Sequence, residues 1–259
     1  MPRDLEIPKT ALVTGGGKRI GRAICDALAG DGWSIAVHYH ESQEEAEAAC
    51  AELRAAGAPK AAAIQGDLAD AGSVARLLPT AMQALGEIGL LVNSAAIFEG
   101  PDWRTMDAAE IDAHMAVNFR APLLLTQAFA DLLPERFGGA VVNLIDQRVW
   151  NLTPFFPAYT ASKTALWTAT RQMALALAPR IRVNAVGPGP TLQGPRQSPE
   201  DFEAQWRAVP LARQTQPSEI AEAVLYLTRA RAVTGQMLAL DGGEHLGWRQ
   251  DAHGVHVPE

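Results

Sequence analysis

Cysteine is almost missing from this 259-residue chain, which has only Cys25 and Cys50. Both fall in helix-like segments and not at metal-ligand spacing. That excludes a disulfide framework, offers no metal site and fits a reducing compartment. Blocks of Lys or Arg are also missing, and the formal net charge is -7. A nucleic-acid or anionic-membrane surface is therefore not expected. No apolar run reaches the ~18 residues of a membrane span, and the opening MPRDLEIPKT has no apolar signal core, so a cytoplasmic protein is expected. There is no repeat, linker or low-complexity break. What is present is a 48% hydrophobic composition, enough for a sizeable core within one domain over 1–259.

The apolar residues come in alternating patterns. TALVTG (10–15), WSIAVHY (33–39), AAAIQ (61–65), GLLVN (89–93), AVVNLI (140–145), IRVNAV (181–186) and QMLAL (236–240) read as short strands. Between them lie helical stretches. The first places Ile20, Ala23, Ile24, Ala27 and Leu28 on one face and ends near Gly30. The second, 42–57, carries a capping serine with a glutamate three residues on, and Gly57 to stop it. Further helices are expected over 73–85, 108 to about 133 with Pro122 kinking or restarting it, 158–178 and 217–228. Strands alternating with helices predict an α/β fold: one Rossmann-type, doubly wound parallel sheet with helices on both faces. The Pro-rich segment 187–216 reads as an insertion above the strand ends, and about 244–259 as a polar tail.

VTGGGKRIG (13–21) joins the first strand to the first helix. Glycines there let backbone approach a pyrophosphate, and the helix N-terminus offers oriented amides, making Gly15, Gly17, Lys18, Arg19, Ile20 and Gly21 candidate cofactor contacts. A P-loop is excluded: five positions before Gly17 of the Gly17–Lys18 pair stands Leu12 where that motif needs glycine, and Arg19 follows where it needs Ser or Thr. After the second strand comes HYHES (38–42), with no carboxylate at the strand end where an NAD site holds the ribose hydroxyls. Arg19 can fork onto a 2'-phosphate, and His38, Tyr39, His40 and Ser42 form the loop that would host it, so NADPH is the expected cofactor. Glu41 is the one acid nearby.

Tyr159 and Lys163 are four apart in a helix and so share a face. A phenol titrates near ~10 and works poorly as a proton donor at neutral pH until a cation lowers it, which a lysine one turn away does. With three tyrosines and four lysines among 259 residues, this spacing arises by chance in about one such chain in twenty, so position matters more than the pair itself. Thirteen residues before the tyrosine stands Asp146.

From TGGGKRIG through GDLAD, NSAA, VNF, YTASK and VGPG to LDGG, the chain resembles the short-chain dehydrogenase/reductase family over nearly its whole length. That resemblance implies that Asp67 and Leu68 lie by an adenine and that Asn93 and Ala95 line the cofactor. It also implies that Asn118 belongs to a proton relay with Tyr159 and Lys163, and that the turn with Pro188 and Gly189 covers a nicotinamide.

Two departures are informative. Arg19 stands where the family's turn has glycine, and Asp146 where it has a catalytic serine. Both are similar to pteridine reductases, whose trio is Asp, Tyr and Lys and which stack a pterin ring where Phe98 stands here. Glu41 and NSAA depart from that subfamily. The chemistry fits: a carboxyl can pair with the donors of an aminopyrimidine-like edge, or supply a proton to a ring nitrogen, as C=N reduction requires. The bland reading is that Asp146 only caps the following loop. The expected activity is NADPH-dependent reduction of a pterin-like C=N heterocycle. The alternatives are a carbonyl reductase of the same fold and a non-catalytic NADPH-binding sensor. Family members commonly pair through the helix bearing the Tyr–Lys motif, and the apolar ALWTATRQMALALA (165–178) predicts a homotetramer.

Overall fold

Short apolar runs such as ALV and LLV have no polar face, so they are stable as strands only when both sides of a sheet are covered. That is the arrangement in the computed structural model, which describes residues 5–100 and 102–247. Seven strands form one sheet: β1 (Thr10–Val13), β2 (Ser34–Tyr39), β3 (Ala61–Gln65), β4 (Leu90–Asn93), β5 (Gly139–Leu144), β6 (Ile181–Pro188) and β7 (Met237–Leu240). Their order is β3-β2-β1-β4-β5-β6-β7, and every pairing is parallel. Ala11 and Val13 of β1 point into one core with Ile24 and Leu28 of α1 (Arg19–Gly30), Leu53 of α2 (Gln43–Ala55) and Val224 of α8 (Pro217–Arg229). Leu12, between them, points into a second core with Leu77 of α3 (Ala71–Leu85), Phe129 of α5 (Ala121–Leu132) and Ala174 of α6 (Pro157–Leu177).

The sheet order reverses direction between β1 and β4, which opens a crevice at their carboxyl ends. Thr14 pins that crevice. Its N–H donates to the Val92 carbonyl at 3.0 Å. Its Oγ1 accepts the N–H groups of Ser94 and Ala95 at 2.9 and 3.0 Å.

Three local expectations need correction. Ser42 sits at the start of α2 without a side-chain capping bond; Glu45, the expected capping-box partner, instead pairs with Lys18 at 2.8 Å. The 108–133 stretch does restart at Pro122, as expected, but its first part is not one helix: α4 (Ala108–His114) and a π-helical turn (Met115–Arg120) precede α5. There Ala121 N–H reaches back five residues to the Ala116 carbonyl. Pro122 lies in the first turn of α5, where its missing N–H is tolerated, and it leaves the Asn118 carbonyl without the usual donor four residues on. In 187–216, β6 runs on through Pro188, and α7 (Pro199–Ala208) follows a strap. The start of α7 was readable as Ser-Pro-Glu-Asp: Ser198 Oγ caps Asp201 N–H at 3.0 Å and Pro199 fills the first turn. The tail from 248 onward lies outside the described residues.

Candidate active site

The turn after β1 is shaped by two glycines. Gly15 has φ +65° and lies against Ala95, and a Cβ on Gly21 would meet the Gly15 carbonyl at 2.2 Å. Only hydrogen fits at the second position. Between them Arg19 adopts φ +53°, a left-handed backbone usually reserved for glycine, so strain is held at this turn. This geometry, with the amides of the α1 N-terminus, fits a pyrophosphate.

His38 serves the turn from below. Its Nδ1 accepts the Gly15 N–H at 3.1 Å, so Nε2 bears the proton and donates to the Gly66 carbonyl at 3.0 Å. Burial holds the ring's pKa down to about 4, so it is a neutral strut and not a cation facing a phosphate. Tyr39 is half-buried against the core, and His40 lies exposed with Nε2 3.9 Å from Asp67 Oδ1. Leu68 belongs to the core. Glu41 borders a surface groove with Glu44, Glu45 and Glu47, so Lys18 and Ser42 lie beside an acidic patch.

A cavity of about 660 Å³ opens above β5 and β6. Arg19, Ile20, Pro188 and Gly189 line one side, and Phe98, Asp146, Tyr159 and Lys163 another. Gly15, Gly17, Lys18 and Gly21 flank it in the turn, outside the lining. Tyr159 donates to Asp146 Oδ2 at 2.9 Å. The other carboxylate oxygen accepts the Arg148 N–H at 2.8 Å. Asp146 therefore caps the short turn Gln147–Val149, as the bland reading held, and also faces the phenol.

Lys163 is buried, with Nζ on the Leu144 carbonyl at 2.7 Å. Burial pulls its ammonium down to about 8, while the Asp146 carboxylate acts to raise it. Beneath the site, Asn93 Nδ2 donates to Asn143 Oδ1 and Asn143 Nδ2 to Thr170 Oγ1, both at 2.8 Å.

Asn118 projects from the π-helical turn. Its Oδ1 accepts the Ile97 N–H at 2.9 Å, and its Nδ2 donates to the Ile97 carbonyl at 3.0 Å and to Ser162 Oγ at 3.1 Å. Nearby, His114 Nε2 accepts the Glu99 N–H at 3.3 Å. Phe98 is thus clasped at both neighbours. Its ring stacks on Phe156 at 4.1 Å and meets Tyr159 edge-on at 4.6 Å.

Sequence reasoning named Phe98 but did not single out Phe156, Gln147, Arg148, His114 and Arg196, although QRVWNLTPFF (147–156) and 187–216 read as the segments that build the pocket. Arg196 donates to the Phe98 carbonyl and to Glu99 Oε2 at 2.8 and 2.7 Å, contacts that no local pattern encodes. Among the described residues no group of three or more His, Cys, Asp or Glu could hold a metal ion, and no helix is long and apolar enough to cross a membrane.

A doubly wound parallel sheet, a glycine turn at its switch point and a Tyr–Lys pair over β5 define a dinucleotide-type oxidoreductase. The short chain dehydrogenase family profile matches residues 9–202, and the chain belongs to that family. It is 32% identical to the 3-oxoacyl-[acyl-carrier-protein] reductase of Staphylococcus aureus, covering 93% of this chain and all of that one. Two crystal structures of FolM alternative dihydrofolate reductase 1, each complexed with NADP, are also similar. The Brucella canis protein is 44% identical, with TM-score 0.88, 96% of this chain and 100% of that one covered. The Brucella suis protein is 47% identical, with TM-score 0.89 and coverages of 93% and 96%.

Proposed function

We propose that this chain is an NADPH-dependent reductase of a pterin-like or related C=N heterocycle, of the dihydropterin or dihydrofolate type. One observation carries the reading: the carboxylate of Asp146, not a serine hydroxyl, receives the Tyr159 hydrogen bond beside the Phe98–Phe156 ring stack. The dihydrofolate reductase activity and the NADP named for the two Brucella proteins support it.

In this reading Gly15, Gly17, Lys18, Arg19, Ile20 and Gly21 hold the cofactor's phosphates. Asp67 and Leu68 lie by its adenine, Asn93 and Ala95 along its length, and Pro188 and Gly189 over its nicotinamide. When bound, the dihydronicotinamide supplies a hydride. Tyr159 supplies a proton from its Oη, and Lys163 holds positive charge beside the ring, its Nζ 5.7 Å from the ring centroid. Asp146 orients the phenol and faces the nitrogen that becomes protonated. Asn118 positions Phe98 and the helix carrying Tyr159.

Reduction of simple carbonyls is the second reading, favoured by the reductase name of the Staphylococcus aureus relative. NADPH oxidation assayed across dihydropterins, dihydrofolate, quinonoid pterins and several ketones separates the two. Turnover of ketones alone overturns the pterin assignment. We also propose a cytoplasmic homotetramer paired through α6, where Leu175 is 83% exposed. Sedimentation should show four copies, and a stable monomer at micromolar concentration refutes it.

A further inference from the structure

Asp146 and Gln147 are neighbours on the same cavity wall, but their hydrogen bonding is opposite. Both Asp146 oxygens are engaged, one by Arg148 N–H and one by Tyr159. Gln147 is only 3% exposed, yet its side chain makes no hydrogen bond to any described residue, and its Oε1 is sealed from water without a partner. More than nine in ten buried polar groups are paired, because leaving one unpaired costs stability with no return. Nor does the local fold need this amide. Asp146 caps the turn, and only the Gln147 backbone carbonyl is used, accepting the N–H groups of Trp150 and Asn151 at 2.9 and 3.3 Å.

We infer that Gln147 is the specificity-determining residue of the site, its carboxamide pairing with a heterocycle edge that presents a hydrogen-bond donor beside an acceptor. This rests on the heterocycle reading above. A carboxamide carries one acceptor and one donor side by side, the geometry with which amides read the N–H and ring nitrogen of an adenine edge. An aminopyrimidinone edge offers the same complement, and a simple ketone does not. The last torsion of a glutamine is soft, so the sealed oxygen turns toward the cavity at little cost. Asp146 is thereby left to Tyr159 and proton transfer.

The test compares wild type with Gln147→Leu and Gln147→Glu, measuring kcat, KM, NADPH affinity and Tm. It also measures the affinity of an oxidised pterin in the presence of NADP. Wild-type turnover of a dihydropterin is scored first, and its absence defeats the heterocycle reading and this inference together. Given turnover, Gln147→Leu should raise the dihydropterin KM and the pterin Kd roughly 10- to 100-fold. The same variant should leave kcat within about threefold, NADPH affinity unchanged and Tm equal or higher, since an unpaired polar group has been removed. An unchanged KM and pterin Kd overturn the inference while leaving the heterocycle reading intact. Equal losses of NADPH affinity and Tm also overturn it, because they mark a structural role. Should Gln147→Leu not fold, the isosteric Gln147→Glu decides: it keeps an acceptor and loses the donor, and an unchanged KM there is fatal.

Discussion

The turn after β1 and the strap over 190–197 border the same cavity but are held in different ways. The turn is fixed by sheet register: Thr14 bridges β1 to the end of β4, and His38 ties Gly15 to the end of β3. The strap is anchored at its start, where Thr215 N–H and Gln214 Nε2 donate to the carbonyls of Pro190 and Thr191 at 3.2 and 2.6 Å, and beyond that it hangs from two arginines. Arg19 reaches the carbonyls of Leu192 and Gln193, 173 and 174 positions away, at 3.4 and 3.2 Å. Arg196 reaches Glu99 and the Phe98 carbonyl, 97 and 98 positions away. Only Arg196–Glu99 is an ion pair; exposed contacts of this kind, like the three arginine–carbonyl hydrogen bonds beside it, stabilise by about 1 kcal/mol or less each. One side of the cavity is therefore rigid because buried backbone sets it. The other is adjustable because solvated side chains hold it, which suits a cofactor site facing a substrate site.

The largest expected effect lies on the wall opposite the turn, at the phenol carried by α6. Tyr159→Phe should lower kcat/KM by roughly 10²- to 10⁴-fold for heterocycles and ketones alike, with NADPH affinity unchanged. If ketone reduction survives at more than a tenth of the wild-type rate, the phenol is not the shared proton source. Asp146→Ser sharpens the contrast. A serine can still cap Arg148 N–H, so the turn survives while the carboxylate facing Tyr159 is lost. Dihydropterin kcat/KM should fall roughly 10- to 1000-fold, with ketone activity kept or raised. Unchanged reduction of every dihydropterin tested would leave Asp146 a loop cap only.

The same divide decides what was legible in the sequence. The sheet was readable because its five central strands, β2, β1, β4, β5 and β6, are buried on both faces and marked by apolar runs, while the half-buried edge strands β3 and β7 still carry short apolar runs. Asp146, Tyr159 and Lys163 were readable because a four-residue helical spacing and a thirteen-residue offset survive in one dimension. Phe156 was not: it is held at φ +54° and stacked on a ring 58 positions away, and nothing local announces either fact. Arg196 was not, since its partners lie nearly a hundred positions off. His38 was misjudged by reading its type and not its burial. A histidine at a strand end looks like a phosphate contact, but one sealed between Gly15 and Gly66 is a strut.

A moderate effect should appear in the pH dependence. The unfolded lysine titrates at 10.5 and the buried Lys163 at about 8. The ammonium is the working form, so kcat/KM should fall as pH rises through about 8. Stability should move the other way. Between pH 8 and 10.5 the unfolded chain binds the extra proton, so the native state gains as pH rises across that window. Asp146→Ser removes the charge that holds the lysine up and should shift the limb to lower pH. A basic limb above pH 9.5 in wild type contradicts the burial argument.

The smallest effect tests where the two sides meet, at Arg19. Arg19→Ala and Arg19→Gly both delete the guanidinium, with its hold on the strap and its expected grip on a 2'-phosphate. Each should cut the NADPH-over-NADH ratio of kcat/KM by roughly 10- to 100-fold. A wild-type preference for NADH overturns that expectation and assigns the choice to Glu41. Between the two variants only the backbone differs. At φ +53° alanine keeps a left-handed strain of about 1 kcal/mol that glycine relieves. Glycine also gives the unfolded chain more freedom, which offsets part of that gain. The net difference should be about 0.5 kcal/mol in favour of Arg19→Gly, or roughly 1–2 °C in Tm for a chain of this size. If Arg19→Ala proves as stable as Arg19→Gly, the turn relaxes out of the left-handed region once the guanidinium is gone. The strap's carbonyls, and not the sheet, would then be what holds Arg19 in that conformation.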